Sequence, residues 1–168
     1  MPKIIENLPQ ILAQEAKKQV LEHGYEAMTI RSVAKKCQVG VGTVYNYYPS
    51  KEALVAAFLL EDWKSCIASI ESCAQKAEEG TAVLREIHRC LTEYIRRHQA
   101  IFRDKAAALS ISGTSGYYHG LLRSQLAAPI RPFCKDDFAA EFVAEAMLTW
   151  TVAGKDFGSL NEILKQLF

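Results

Sequence analysis

Residues 29–54 read TIRSVAKKCQVGVGTVYNYYPSKEAL, and the order of caps, glycines and apolar residues in this stretch decides the fold. Thr29 has the chemistry of a helix N-cap, and Ile30, Val33, Ala34 and Cys37 follow at i, i+3, i+4 and i+7, one face of a short helix. Gln38, Val39 and Gly40 make a tight connection. Val41 to Tyr47 then form a second short helix, which ends before Pro49 because the proline drives Tyr48 out of helical geometry. Ser50 is placed to cap a further, longer helix. Two short helices joined by three residues that include a glycine have the proportions of a helix-turn-helix, which presents its second helix to a groove. By spacing alone, a structural hairpin fits as well as DNA binding.

The side chains of the second short helix bear on that choice. Val39 and Val44 turn inward with Val33 and Cys37, which leaves Val41, Gly42, Thr43, Tyr45, Asn46 and Tyr47 on or near the outer side. A solvated helix face normally carries Lys and Glu. This one offers hydroxyls, an amide and a glycine, groups that hydrogen-bond phosphate oxygens and base edges or allow close approach.

Outward from this stretch the whole chain reads as helix, with no sustained period-two alternation, so an all-α fold is expected. Asn7 is expected to cap a first helix with Pro9 in its first turn, Leu12, Ala16 and Val20 marking its buried stripe and Gly24 its stop. The helix capped by Ser50 carries the apolar line Leu54, Phe58, Ile67, Ile70, Ala74 and Ala77 and is expected to run to Gly80. Thr81 starts an amphipathic helix bearing Leu84, Ile87, Leu91, Tyr94, Ile95 and His98, and another helix is expected over 100–109. SISGTSG (110–116) reads as a loop, followed by a shorter helix and a proline-punctuated connection at 129–137. Asp136 or Asp137 caps DFAAEFVAEAMLTWTVAG, and Ser159 with Glu162 is expected to form a capping box for the last helix. There is no internal repeat.

The 168 residues, 49% of them hydrophobic, suffice for one ordinary domain or two small ones. A division into 1–58 and 59–168 is expected. The first part carries seven Lys and Arg against five Asp and Glu, a formal charge of +2, and the remainder −1, so the lean toward a basic N-terminal part is slight. The chain shows neither the long uncharged apolar run of a membrane helix nor an apolar leader in MPKIIENLPQ, and a cytoplasmic location is expected. Five scattered cysteines with no C-x-x-C pair suit reduced thiols. Cys66 and Cys73 share a helix face and, with His88 or Cys90, bring a metal site to mind, but the spacing matches no common zinc pattern. No cofactor or metal is expected.

The run from Thr29 to Leu54, with Gly24-Tyr25 closing the first helix, Ala34 inside the second and G-T-V-Y-x-Y-Y-x-S-K-E-x-L beyond, resembles the DNA-binding signature of the tetracycline-repressor (TetR) family of transcriptional regulators. The resemblance spans about residues 8–58. It implies a three-helix DNA-binding head joined by a long helix to a C-terminal helical domain that binds an effector and dimerises. Carried over by position, it sets Thr29, Tyr47 and Lys51 against phosphates and Arg31 toward a base edge. Val41, Gly42, Thr43, Tyr45 and Asn46 line the groove, with Asn46 the adenine reader. Gly40 stands where the family often has serine, and Tyr48 where phenylalanine is usual, which reads as core. The implied partners are a double-stranded palindromic operator, a second copy of the chain, and a small, often apolar effector, with no membrane. The implied dimer face is the last two helices. For the effector pocket, Trp63, Tyr94, His98, Phe102, Tyr117, Tyr118 and Trp150 supply aromatic walls and polar tips.

The resulting expectation is a ligand-responsive repressor and not an enzyme. A small helical enzyme and a non-DNA-binding interaction module are the competing classes. No phosphate loop, metal cluster or nucleophile motif supports the enzyme, although Ser110, Ser112 and Ser115 lie near His119.

Overall fold

The computed structural model describes residues 6–103 and 115–167, the side chains of 115–118 and 167 excepted. Among the described residues every regular element is helical. The helices are α1 (Leu8–His23), α2 (Ile30–Lys36), α3 (Val41–Tyr47), α4 (Lys51–Ala74), α5 (Gly80–Arg97), α6 (Gln99–Arg103), α7 (Ser115–Ile130), α8 (Asp137–Val152) and α9 (Phe157–Leu164). Single 3-10 turns follow α7 and α9. No helix of the described residues is long and apolar enough to cross a membrane.

The chain divides into two compact units. The first holds residues up to Glu61 and the segment that begins at His98; the second holds Asp62–Arg97 and the described residues from Ser115 on. Helix α4 contributes its first turns to one unit and the remainder to the other. A single cut after residue 58 would assign His98 and α6 to the C-terminal part, whereas their packing belongs with the N-terminal helices, where α6 lies against α1.

In the first unit, Leu12, Ala16 and Val20 of α1 are buried with Met28, Val33, Ala34, Val44, Leu54 and Phe58. Each short helix therefore contributes one or two apolar anchors, and α3 is held chiefly by Val44. Helices of seven residues are unstable alone, so this shared burial supplies their stability. Gly24 ends α1 at φ +87°, with its N–H donating to the Val20 carbonyl at 2.9 Å. In the second unit α5, α7 and α8 pack around Trp63, Ile70, Leu84, Ile87, Leu126, Ile130, Val143 and Met147, closed by Leu160 and Leu164 of α9.

Several helix ends differ from the sequence expectation. Asn7 occupies the N-cap position of α1 in a left-handed conformation and makes no side-chain cap. Helix α4 ends at Ala74, six positions before Gly80, and Gly80 begins α5 in place of Thr81. A glycine marks either end of a helix by the same local chemistry, and only the return of α5 onto the second core selects which. Ser115 and Gly116, read as loop, open α7, and Pro129 lies inside its last turn. The rest of the 100–109 helix and of the loop lies outside the described residues. Asp136 caps α8, accepting from Ala139 N at 2.7 Å. Asp156, not Ser159, caps α9: its carboxylate accepts from Ser159 N and Oγ, both at 2.7 Å, while Glu162 pairs with Lys165. A charged acceptor three residues upstream binds the amide more strongly than a serine hydroxyl would.

Candidate nucleic-acid interface

Helices α2 and α3 meet through Cys37, Gln38, Val39 and Gly40, and Gln38 sits at φ +57°. This left-handed residue reverses the chain, and Val39 N donates back to the Ala34 carbonyl at 3.0 Å. Helix α3 then starts at Val41, with Gly40 in the N-cap position and no side-chain cap, as the glycine implied.

Thr29 caps α2 through a reciprocal pair of bonds: Ser32 N donates to Thr29 Oγ1 at 3.0 Å, and Thr29 N donates to Ser32 Oγ at 3.1 Å. Ser32 Oγ also donates to the buried Gln19 at 2.5 Å, and Gln19 Nε2 donates to Glu15. The start of α2 is thus tied to α1 by side chains that sequence inspection passed over. Nothing in the spacing of Gln19 marked it, since a glutamine on a helix face ordinarily reads as solvated. Arg31, next to the cap, is exposed.

On α3, Val44 is fully buried, Val41 and Thr43 are half-buried, and Gly42, Tyr45, Asn46 and Tyr47 are exposed. The Tyr45 and Tyr47 side chains stand 51% and 48% exposed, an unusual outlay of aromatic surface for a seven-residue helix. A Cβ built on Gly42 meets no atom within 4 Å, so packing does not require glycine there. Tyr48 turns inward: its hydroxyl donates to the Pro9 carbonyl at 2.9 Å, and burial pushes its phenol above the ordinary value. Tyr48 therefore occupies a different environment from the exposed Tyr45 and Tyr47.

Lys51 opens α4, whose first turn is capped by Ser50 Oγ, accepting from Ala53 N at 3.1 Å. Its ammonium sits over the ring of the buried Tyr25, 4.0 Å from the centroid. Tyr25 in turn donates its hydroxyl proton to Glu52 Oε1 at 3.2 Å. Amide and Ser50 hydrogen bonds at the helix start hold the Glu52 carboxyl below its usual value. The first unit thus carries together Thr29, Arg31, α3 and Lys51, the residues expected at a DNA surface.

Of the aromatic and histidine residues expected to line one effector pocket, Trp63, Tyr94 and Trp150 belong to the second unit and His98 and Phe102 to the first. Trp63 is buried in the second unit, donating its indole N–H to Gln125 Oε1 at 2.7 Å and meeting Tyr94 edge-on with centroids 5.6 Å apart. His98 is buried in the first unit between Phe58 and Phe102, and Phe102 is exposed. Trp150 is exposed, its indole bonded to the Asp156 carbonyl at 3.1 Å. The Tyr117 and Tyr118 side chains lie outside the described residues. Spacing on one helix face predicted proximity, but α5 and α6 separate at Arg97 and join different cores.

The second unit carries instead a cleft of about 240 Å³ between α4 and α5, lined by Asp62, Ser65, Cys66, Ser69, Arg89, Cys90, Tyr94 and Arg97 among others. Tyr94 alone carries over from the expected set. Burial, then the nearby Asp62 carboxylate, pushes its phenol well above the ordinary value. The cysteine and histidine expected nearby disperse: Cys73 Sγ is 3.8 Å from the Ala82 carbonyl, and His88 stacks on Phe157 at 4.8 Å. Among the described residues no three His, Cys, Asp or Glu side chains converge as metal ligands. His119, considered with the serines of 110–115, bonds Glu145 at 2.9 Å; the serine side chains lie outside the described residues.

Residues 12–58 match the family described as "Bacterial regulatory proteins, tetR family". The repressor KstR of Mycolicibacterium smegmatis is 39% identical over 51 residues, 30% of this chain and 25% of that protein. The aligned stretches cover 31% of YuxN of Bacillus subtilis and 24% of UidR of Escherichia coli. The fold resembles a TetR-family regulator from Pectobacterium atrosepticum, with TM-score 0.69 and 15% identity over 96% of this chain and 88% of that one. It also resembles FadR from Bacillus subtilis in complex with stearoyl-CoA, with TM-score 0.53 and 18% identity over 94% and 96% of the two chains. The helix-turn-helix segment, residues 12–58, is therefore of the tetR family of bacterial regulatory proteins, and the aligned relatives share only part of their length with this chain.

Proposed function

We propose that this chain is a sequence-specific DNA-binding transcriptional regulator, a homodimeric repressor that leaves a palindromic operator when a small molecule binds its second unit. The observation that carries the reading is the outer face of α3, where Gly42, Tyr45, Asn46 and Tyr47 are exposed on a helix anchored by the buried Val44. Tyr47, Thr29 and Lys51 hold phosphates; Arg31 and Asn46 approach base edges, and Val41, Gly42, Thr43 and Tyr45 lie along the groove. Because Thr29 Oγ1 accepts from Ser32 N, its own hydroxyl proton remains to donate to a phosphate oxygen. The repressor KstR, which matches the head, supports repression over activation.

Dimer formation through α8 and α9 is supported by their exposed apolar side chains. Phe138, Phe142 and Val152 recur on one face of α8, and Ile163 is exposed on α9. Phe138 is 78% exposed, far more than a phenylalanine ordinarily leaves to water. Two heads about 34–36 Å apart would read half-sites one helical turn apart. The effector reading draws on the FadR neighbour, which holds stearoyl-CoA, and on the α4–α5 cleft. The cleft is walled by paired charges, so a polar or amphipathic effector suits it better than the purely apolar one first expected. Acting on chromosomal DNA, the protein works in the cytoplasm and catalyses no reaction.

The decisive experiment is a salt-series mobility shift with the DNA upstream of its own coding sequence, paired with sedimentation of the free protein. Specific retention by a dimer is expected. Binding no tighter than to random DNA, or a monomer at all concentrations, would sink the reading.

A further inference from the structure

We propose that Gln19, a buried residue of α1, is a positioning residue for the DNA contacts of α2, which it aims by holding Ser32 in the first turn of that helix. This role rests on the DNA-binding reading. Gln19 is 8% exposed, and a primary amide is costly to bury unless both its ends are hydrogen-bonded. Both ends are engaged: Nε2 donates to Glu15 Oε1 at 2.7 Å, and Oε1 accepts from the Ser32 hydroxyl at 2.5 Å. A carboxylate only accepts, so the amide nitrogen must face Glu15 and the amide oxygen must face Ser32.

The bonds run in one direction. Ser32 Oγ carries a single proton and has two acceptors in reach, Gln19 Oε1 at 2.5 Å and the Thr29 carbonyl at 2.8 Å. The Gln19 oxygen takes it, because it is nearer and because donation of the amide N–H to the Glu15 carboxylate makes that oxygen a better acceptor. Ser32 Oγ in turn accepts from Thr29 N at 3.1 Å, and Ser32 N donates to Thr29 Oγ1 at 3.0 Å. The protons passed from Thr29 N to Glu15 thus all point inward, toward α1, and the Thr29 hydroxyl proton is left to donate outward. Arg31, between Thr29 and Ser32, is exposed on the same turn.

Capping of α2 does not need Gln19. Without its amide the Ser32 proton turns to the Thr29 carbonyl, already at 2.8 Å, and both bonds of the capping box survive. What is lost is the side-chain tether between α1 and the start of α2, and with it the fixed placement of Thr29 and Arg31. The tether therefore serves orientation more than helix formation. An apolar side chain of the same length should leave the fold as stable or more so, since it removes a buried polar group while Ser32 and Glu15, both half-buried, keep another acceptor or water.

The test uses the full chain, with the duplex upstream of its own coding sequence and a random duplex of equal length as probes. Gln19→Met is expected to hold or raise the urea midpoint and to weaken retention of the upstream duplex about tenfold, the worth of one base-edge contact. Retention of the random duplex should change by less than about twofold. A residue that matters only for stability would lower both in proportion, and an unchanged ratio of the two overturns the positioning role. Gln19→Glu sets two carboxylates four residues apart on α1 and should weaken the upstream complex likewise. Adding Glu15→Gln restores an amide donor beside the new carboxylate at the native net charge, and should return binding to within about twofold of the native chain. A folded double variant that does not recover overturns the tether, whether or not Gln19→Met folds. If the native chain holds the upstream duplex no tighter than the random one, the DNA-binding reading falls and the role of Gln19 with it; tight native binding that Gln19→Met leaves intact removes Gln19 alone.

Discussion

The Lys51 ammonium lies 4.0 Å from the centroid of the Tyr25 ring, 26 residues earlier in the chain, so the aromatic face steadies a cation proposed to meet a phosphate. A cation–ring contact whose ammonium stays in reach of water is worth about 0.5–1 kcal/mol. Lys51→Met keeps the stem and removes the charge. It is expected to lower stability by no more than about that amount while reducing the salt slope of DNA binding by about one, equally across sequences. Salt-dependent shift assays measure the slope; an unchanged slope would remove Lys51 from the interface.

Tyr47 and Tyr48 are neighbours with opposite expected phenotypes. Tyr48→Phe abandons the Pro9 carbonyl and should cost about 0.5–1.5 kcal/mol of stability in urea denaturation, with DNA affinity preserved once the protein is folded. Tyr47→Phe removes an exposed hydroxyl, should leave stability within about 0.5 kcal/mol, and should weaken the operator complex. Reversed outcomes would mean that the two rings were assigned to the wrong surfaces.

Gly42 separates folding from reading. Since a Cβ there meets nothing within 4 Å, Gly42→Ala should stabilise α3 by up to about 1 kcal/mol. If α3 enters a groove with close backbone approach, the same methyl should weaken DNA binding. Gln38→Gly provides the contrast: relieving the left-handed turn at φ +57° should also stabilise by roughly 1 kcal/mol, with little effect on DNA. Thermal melts beside shift assays distinguish the two; tighter DNA binding by Gly42→Ala would refute the close approach.

Acid should weaken the second unit through Glu86. Its hydrogen bonds from Arg89, Ser69 and Cys90 lower its carboxyl from 4.5 to about 2 in the folded chain. A folded-state value below the unfolded one contributes stability that is present above about pH 4.5 and is lost as pH falls from there toward 2. Arg89 is largely solvated, so screening keeps the contribution below about 1 kcal/mol. Urea midpoints followed from neutral pH downward should fall less steeply for Glu86→Gln; parallel curves would show that the pair carries no pH dependence.

The helix-turn-helix was legible because its determinants are local. Thr29 and Ser50 supply caps, Ile30, Val33 and Ala34 a face, and Pro49 a stop, all within one or two turns of the backbone they control. The capping of α9 was misread for a related reason: Ser159 with Glu162 and Asp156 with Ser159 are both plausible local signals, and the carboxylate is the stronger acceptor.

The sequence by itself determined the helical class, the bounds of α2 and α3, and which α3 side chains face outward, since three-and-four periodicity around one buried valine leaves few choices. Only tertiary structure decided that Tyr48 bonds Pro9, that Lys51 covers Tyr25, that His98 joins the N-terminal core while Tyr94 stays with Trp63, and that Cys66 and Cys90 line one cleft. These contacts join positions separated by up to 40 residues, and their pairing follows from how the helices cross and where the chain reverses, which side-chain periodicity along one helix does not encode.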